Sequence, residues 1–453
     1  MTRARCYGLL LLLLSGGIFI MWGLASQYAT QERSVVGGMG DFKLIYGAAR
    51  CLLQHNDPYS QNAIEGFYQS EQWTIPPNPV LSLGATLYLY FPTVSIFIAP
   101  FAMLPWGPAH VLWMMLTAAG LILAAFLMWN IAANRTPGVS LFLICILLAN
   151  CEVVFSSGNA AGIAVSLCVV AVWCFLKERF VQIGILCMAV SLCIKPHDAG
   201  PVWLYFMLVG GVYRKRAQQT LVMTIVLGLA GVLWVSHIAP HWMQELHSNT
   251  LANSMHGYVN DPGPAEVHGP NPDGLIDLQT VISIFRDDPR IYNPVSYLIC
   301  GAPLLIWLVR TVRSCCSATR VWFALAAIVP LSILPIYHRG YDAKLLLLTI
   351  PACAILWAKG GPIRWVALVV TTAGIVLTAD IPLVILNIFT KNLHVDTVGI
   401  FGKILTVVLM RPVPLILLVM AIFYLWVYVR RDPGGSAMTK PGGPGGAPIA
   451  SMP

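Results

Sequence analysis

Long apolar runs recur along this chain, and the short loops between them carry Lys and Arg far more often than Asp and Glu. A chain built this way has one main solvent open to it, the bilayer. Charged residues make up 10% of it and hydrophobic residues 57%, against about 25% charged in an average soluble chain. With a mean hydropathy of +0.74, the sequence predicts an all-α polytopic membrane protein. The net charge of +8 then marks cytoplasmic loops. No basic run interleaved with aromatics suggests a nucleic-acid surface, and no nucleic-acid partner is expected.

Charge placement predicts the topology. Arg3 and Arg5 precede an apolar run near 7–25. That run is longer than the roughly 7–15 residues of a signal-peptide core and suits a spanning helix. It reads as an uncleaved first span with the N-terminus inside. Basic loops follow near Arg135 and at 177–180, 213–216, 310–320, 358–364 and 429–432. Placing them all in the cytoplasm predicts later spans near 108–130, 139–156, 160–176, 180–195, 199–213 and 218–237. Further spans follow near 297–310, 320–336, 343–358, 364–388 and 412–430. The total is about twelve transmembrane helices, with both ends inside. Residues 90–108, broken by Pro92, Pro100 and Pro105, would invert every later loop if they crossed. They read as an interfacial or re-entrant helix on the outer side, with a short tilted span as the alternative.

Four parts are expected. Residues 1–237 form a transmembrane module that includes a long first outer loop, 28–107. Residues 238–296 form a second outer loop, and 297–430 the C-terminal helices. Residues 431–453, rich in Gly and Pro, read as a disordered cytoplasmic tail. The remaining outer loops are 156–162 (SSGNAAG), 195–200 (KPHDAG), 337–342 (YHRGYD) and 391–396 (KNLHVD). Nearly every polar residue of chemical interest falls on this outer face. The twelve cysteines lie mostly in apolar segments, where they act as small hydrophobes. They form no C-x-x-C pair and no His/Cys cluster of zinc spacing, so neither a metal nor a cofactor is expected. His237, His241 and His247 fit a solvated loop helix.

The stretch 40–60, GDFKLIYGAARCLLQHNDPYS, stands directly after the first span. Phe42, Ile45, Ala49, Leu52 and Leu53 share one helical face; Lys43, Gly47, Arg50 and Gln54 share the other. This pattern predicts an amphipathic helix lying on the outer leaflet. Asp41 at its start suits either a helix cap or chemistry at the membrane surface. Asp57-Pro58-Tyr59 suits a turn.

The same stretch resembles the signature of family 87 glycosyltransferases, of the GT-C superfamily. The resemblance rests on an aspartate, then Phe, an aromatic, Ala-Ala and a closing Asp-Pro-Tyr. It continues through FPTVSIFIAPFAMLP, SSGNAAG and IKP, and covers roughly residues 1–345. Where the family often has Gly-Gln-x-Asn this chain has Ser157-Gly158-Asn159-Ala160, and where it often has paired histidines this chain has His338-Arg339. The resemblance implies a GT-C-like helical bundle in the cell membrane, with interfacial helices in the first outer loop. It implies inverting transfer of a sugar, typically mannose, from a polyprenyl-phosphate donor to a lipid or glycan acceptor on the outer face. It also implies that Asp41 is the catalytic base.

That chemistry needs one base and cations, because a phosphodiester leaves as a stable anion and asks for no general acid. Lys195, His197, His338 and Arg339 are the candidate donor-phosphate ligands. Arg50, Asp57, Tyr59, Asn159 and Asp342 are candidate substrate contacts. Each also has a structural reading. Lys195 and His197 could complement a helix dipole, Arg339 and Asp342 could close an ionic turn, and Asn159 could bond between helices. Trp73 and Tyr88 read as membrane-interface anchors. The rival functions are a polytopic transporter, and a flippase or ligase acting on polyprenyl-linked substrates. A transporter would be expected to show internal repeats and midplane charges; here the charges cluster at helix ends.

Overall fold

The computed structural model describes residues 3–29, 34–36, 38–263, 274–314, 317, 319–379 and 399–430. The loop 391–396, the end of the expected span 364–388 and the tail 431–453 lie outside these residues. Among the described residues every regular element is helical, with two isolated β-bridges. Lipid offers no partner to a backbone N–H or C=O, and a helix satisfies both within its own segment.

The first helix, α1 (Arg3–Ala29), is followed by three short ones: α2 (Gly40–Leu53), α3 (Gln61–Ser70) and α4 (Pro79–Thr86). A 3-10 turn at Pro92–Val94 runs into α5 (Ser95–Ala102). Then come α6 (Trp106–Ala132), α7 (Pro137–Ala149), α8 (Glu152–Ser157), α9 (Ala161–Lys177), α10 (Val181–Ile194), α11 (Pro196–Val209) and α12 (Gly211–Ile238). Next come α13 (Trp242–Asn253) and α14 (Gln279–Phe285). The chain continues through α15 (Pro289–Arg313), α16 (Arg320–Ile333), a 3-10 helix Asp342–Thr349 and α17 (Ile350–Lys359). It ends with α18 (Ile363–Leu377), α19 (Ile400–Met410) and α20 (Pro412–Arg430). Proline opens α7, α11, α15 and α20, the position where its missing N–H costs nothing.

Among the described residues five helical segments are long and apolar enough to cross a membrane: α6, Pro137–Ser157 (α7 with α8), α12, α15 and α20. On α12, Val222, Val226, Leu229 and Leu233 are exposed, and on α15 so are Leu298, Leu305 and Val312. Stripes of this kind are a liability in water and suit contact with lipid tails. This is an all-α membrane protein.

The bundle has two chemically different ends. At one, Asn134, Arg135, Lys177 and Thr319 line a cavity of about 350 Å³. There Arg216 donates to the carbonyl of Phe175 at 2.6 Å, and Arg5 bonds Asn134. Residues of the N-terminus and of the segments near 135 and at 177–180, 213–216 and 310–320 thus lie together. Helix α9 runs about 25 Å, at 1.5 Å per residue, from Lys177 to the other end, where Asn159 lies.

Three local expectations change. Helix α2 does not lie on a surface, because residues 42–49 are all buried. Its presumed polar face is roofed by aromatics: Lys43 Nζ reaches the Ser34 carbonyl at 2.8 Å and sits 5.4 Å and 5.9 Å from the Trp73 and Trp106 rings. Gly47 makes room for the ring of Phe67, which a Cβ there would meet at 3.0 Å. Secondly, residues 213–216 are no loop but fall in the first turns of α12. The turn that precedes them sits at Gly210, whose φ of 86° favours glycine. Residues 92–102 form a helical piece about 18 Å long at most, too short by itself for a hydrocarbon core of about 30 Å, so there the interfacial or re-entrant reading is not the one that changes. The third change concerns two aromatics. Tyr88, read as an interface anchor, is buried against Tyr59 and Tyr90, and Trp73 packs on Trp106.

Candidate active site

Two loops far apart in sequence close on the start of α2. Met39 takes a left-handed conformation (φ 62°) and is the N-cap residue; its N–H donates to the Ser156 carbonyl. Phe42 stacks on Trp113 of α6 with ring centroids 4.6 Å apart, and Trp113 Nε1 donates to the Gly158 carbonyl at 2.9 Å. Only glycine fits at 158: φ is +66°, and a Cβ would come within 2.7 Å of Phe42 Cβ. This lock sets Asn159 against Asp41. Asn159 Oδ1 accepts from Ala161 N at 2.9 Å, at the start of α9. That bond fixes which end of the amide is the NH₂, and Asn159 Nδ2 donates to Asp41 Oδ2 at 2.7 Å. Tyr90 Oη stands 3.4 Å from the same Nδ2. Asp41 is thus not the helix cap; its half-buried carboxylate is oriented from another loop. It also lies in the favourable positive field of a helix N-terminus.

The segments 195–198 and 337–342 meet each other, and the Asp41 charge acts on Arg339 and Tyr341 of the second. Pro196 opens α11 and pushes Lys195 out of helical geometry, to φ −140°. Lys195 Nζ then reaches Asp342 Oδ1 at 2.6 Å, with both side chains buried. Asp342 Oδ2 accepts from the backbone N–H of Arg339 at 2.9 Å, so the turn closes through the main chain. The Arg339 side chain donates to Tyr337 Oη at 2.8 Å and to the Val259 carbonyl at 2.9 Å. The loop is braced by residues 274–278, through Ile276 N to the His338 carbonyl at 3.0 Å and Leu278 N to the Leu334 carbonyl at 2.8 Å.

Electrostatics tie the two halves together. Burial alone would lower the Arg339 pKa, yet Tyr337, Tyr341 and Asp41 hold it above its usual value. Burial and then Asp41 raise Tyr90. Burial would likewise raise the Asp342 carboxyl, but Lys195, then His338 and His197, hold it down at about 2. For Lys195, burial is outweighed by Asp342 and Asp198, which raise it. Asp198, buried beside Asp342, is pushed well above the carboxylate range, by burial first. Burial lowers His338.

Of the sequence candidates, Asp41, Asn159, Lys195, His197, His338, Arg339 and Asp342 gather at this end of the bundle. Arg50 and Asp57 do not reach Asp41. Arg50 is at the far end of α2, about 13 Å along the helix. Asp57 holds its own turn, accepting from Tyr59 N at 2.8 Å. Tyr59 acts at one remove, donating to the Tyr90 carbonyl at 2.8 Å. Asp198, Tyr90, Tyr337 and Tyr341 were not foreseen as site residues. Asp198 had a signal: a carboxylate next to His197 in a helix break between two apolar runs.

A carboxylate oriented by an amide beside buried cations can take a proton while a neighbouring anion leaves. The model of glycosyltransferase family 87 matches residues 88–335. The chain belongs to that family. No curated protein matches it. The match spans Asn159, Lys195 and His197 and stops short of Asp41 and His338; contacts within the fold bring those last two into the same site. This family 87 protein is therefore a membrane glycosyltransferase, a hexosyltransferase by reaction class.

Proposed function

We propose that the protein transfers a sugar, mannose by its resemblance, from a polyprenyl-phosphate donor to a lipid or glycan acceptor. Transfer takes place at the outer face of the cell membrane and inverts the anomeric centre. Asp41 takes the proton of the acceptor hydroxyl as that oxygen bonds the sugar's C1. The C1–O bond to phosphate breaks, and polyprenyl phosphate leaves with the electron pair. Lys195, His197, His338 and Arg339 receive the phosphate, and Asn159 aims the base. The observation that carries this reading is the 2.7 Å bond from Asn159 that holds the Asp41 carboxylate, whose charge acts on Arg339. A GT-C-like bundle of about twelve spans, with both ends inside, would put the site within reach of a donor whose prenyl tail stays in lipid.

Radiolabelled sugar presented on synthetic polyprenyl phosphates to purified protein and total lipid extract tests the reaction. Label in a lipid-soluble product is expected with one donor sugar. No product from any polyprenyl donor would overturn the reading.

Sidedness is tested separately. A single cysteine at Gly257, in the second outer loop, should react with an impermeant thiol reagent on intact cells. One at Lys215 should react only after the cells are opened. External labelling at 215 would invert the bundle and put the site on the cytoplasmic face.

A further inference from the structure

His197 and Asp198 open α11, while His338 comes from the loop after α16, in the other half of the chain. One ligand atom from each lies within 4.8 Å of the other two. His338 Nε2 is 3.6 Å, and His197 Nε2 3.9 Å, from Asp198 Oδ1. Those three atoms and Asp198 Oδ2 are buried without a hydrogen-bond partner. The side chains of Asp198 and His338 are each only 1% exposed. His338 Nδ1 lies 3.0 Å from the Ile336 carbonyl oxygen. That oxygen can only accept, so Nδ1 carries the proton and Nε2 turns its lone pair toward Asp198.

Four buried, unpaired polar atoms around one gap are costly unless something sits among them. A proton on Asp198 would quench its charge and could be shared with Asp342, but at 3.6 Å and 3.9 Å it would still leave both imidazole nitrogens without a good hydrogen bond. A cation does better. Donors about 2.1 Å from one ion stand about 3.4 Å apart at a tetrahedral angle and about 4.2 Å apart across the ion. The two separations from Asp198 Oδ1 fall between these, and the imidazoles' ligand atoms lie within 4.8 Å of each other. Main-chain anchoring of the far nitrogen, as at His338, is also how ligating imidazoles are usually held.

Charge points the same way. Lys195 and Asp342 cancel, and the Asp41 charge offsets Arg339, so an ionised Asp198 would add a net negative where a phosphate would have to bind. A divalent ion held by the ionised carboxylate would turn that −1 into +1.

We infer that His197, Asp198 and His338 form a binding site for a divalent transition-metal ion of the zinc or manganese type. Two imidazoles and one carboxylate suit such ions; magnesium and calcium prefer all-oxygen shells. Three protein ligands leave positions open, and that the phosphate of the donor fills one of them rests on the transfer reading above. The metal site itself does not depend on it.

The probe is Co²⁺, whose visible absorption reports its ligands. Full-length protein in detergent is stripped with a chelator, dialysed and titrated with Co²⁺, and bound metal is counted per chain. One ion per chain is expected, with Mg²⁺ unable to displace it. Asp198→Asn and His338→Gln should each weaken binding by at least about 100-fold, since even outer-shell changes cost 10–100-fold. His197→Gln, at a side chain one-third exposed, gives a variant expected to fold if the buried ones do not. Asp41→Asn separates the two readings: it should bind one Co²⁺ yet transfer no sugar. Wild-type protein that takes up no Co²⁺, or ligand variants that bind it as tightly as wild type, would overturn the metal site. Cobalt binding by a protein that uses no polyprenyl donor would leave the metal site standing and remove the transfer reading.

Discussion

Asp41→Asn is expected to lower sugar transfer by on the order of 10²-fold or more while leaving the protein folded. The substitution keeps the side chain's shape and removes its capacity to accept a proton. Helix capping does not confound it, because Met39 is the N-cap residue of α2 and no side chain caps that helix. Asn159 Nδ2 can still donate to the amide oxygen of the substituted side chain, so the orienting bond survives in form. What changes is charge: Arg339 and Tyr341 both feel the Asp41 carboxylate. Initial rates at saturating donor, on protein matched for thermal stability, give the measurement. A rate within a fewfold of wild type would exclude Asp41 as the base. Among the described residues Asp342 is held by Lys195 and Asp57 by its own turn, which would leave Asp198 as the next carboxylate to test.

Asp41 was legible because its neighbourhood in sequence carries a pattern. The helix that bears it was legible only in part. Periodicity separates an apolar from a polar face, but it cannot tell water from a roof of aromatic rings over Lys43. The long apolar helices were plain for a simpler reason: lipid asks only for about 20 apolar residues in a row. The partnership of Asp41 with Asn159 crosses 118 positions and leaves no local signal; it depends on Gly158 allowing the 156–159 loop to touch Phe42. His338 likewise meets Asp198 only after α11 and α16 have packed. Arg50 misled because one helix carries both ends of the motif, and a helix keeps its two ends apart.

Lys195→Met is expected to destabilise the fold by about 3–5 kcal/mol, the cost of leaving one member of a buried ion pair without its partner. Asp342 is fully buried and Lys195 is 5% exposed in its side chain, so water cannot take over the lost role. The double variant Lys195→Met/Asp342→Leu should recover most of that loss, because apolar side chains of similar size often replace a buried pair at little cost. Acid gives a second handle. Asp342 has its pKa depressed in the folded state, to about 2, against about 3.9 for an unperturbed aspartate. Its pairing therefore stabilises the fold fully above about pH 4 and is lost as pH falls through about 2. In Lys195→Met the sign reverses, since protonation relieves an unpaired buried carboxylate. The stability gap between wild type and variant should thus narrow on acidification, read from unfolding midpoints in detergent between pH 7 and pH 3. A gap that stays constant with pH, together with a double variant no better than the single one, would mean that Lys195 does not serve Asp342. Its charge would then be free for the donor phosphate alone, and Lys195→Met would lower turnover without lowering stability.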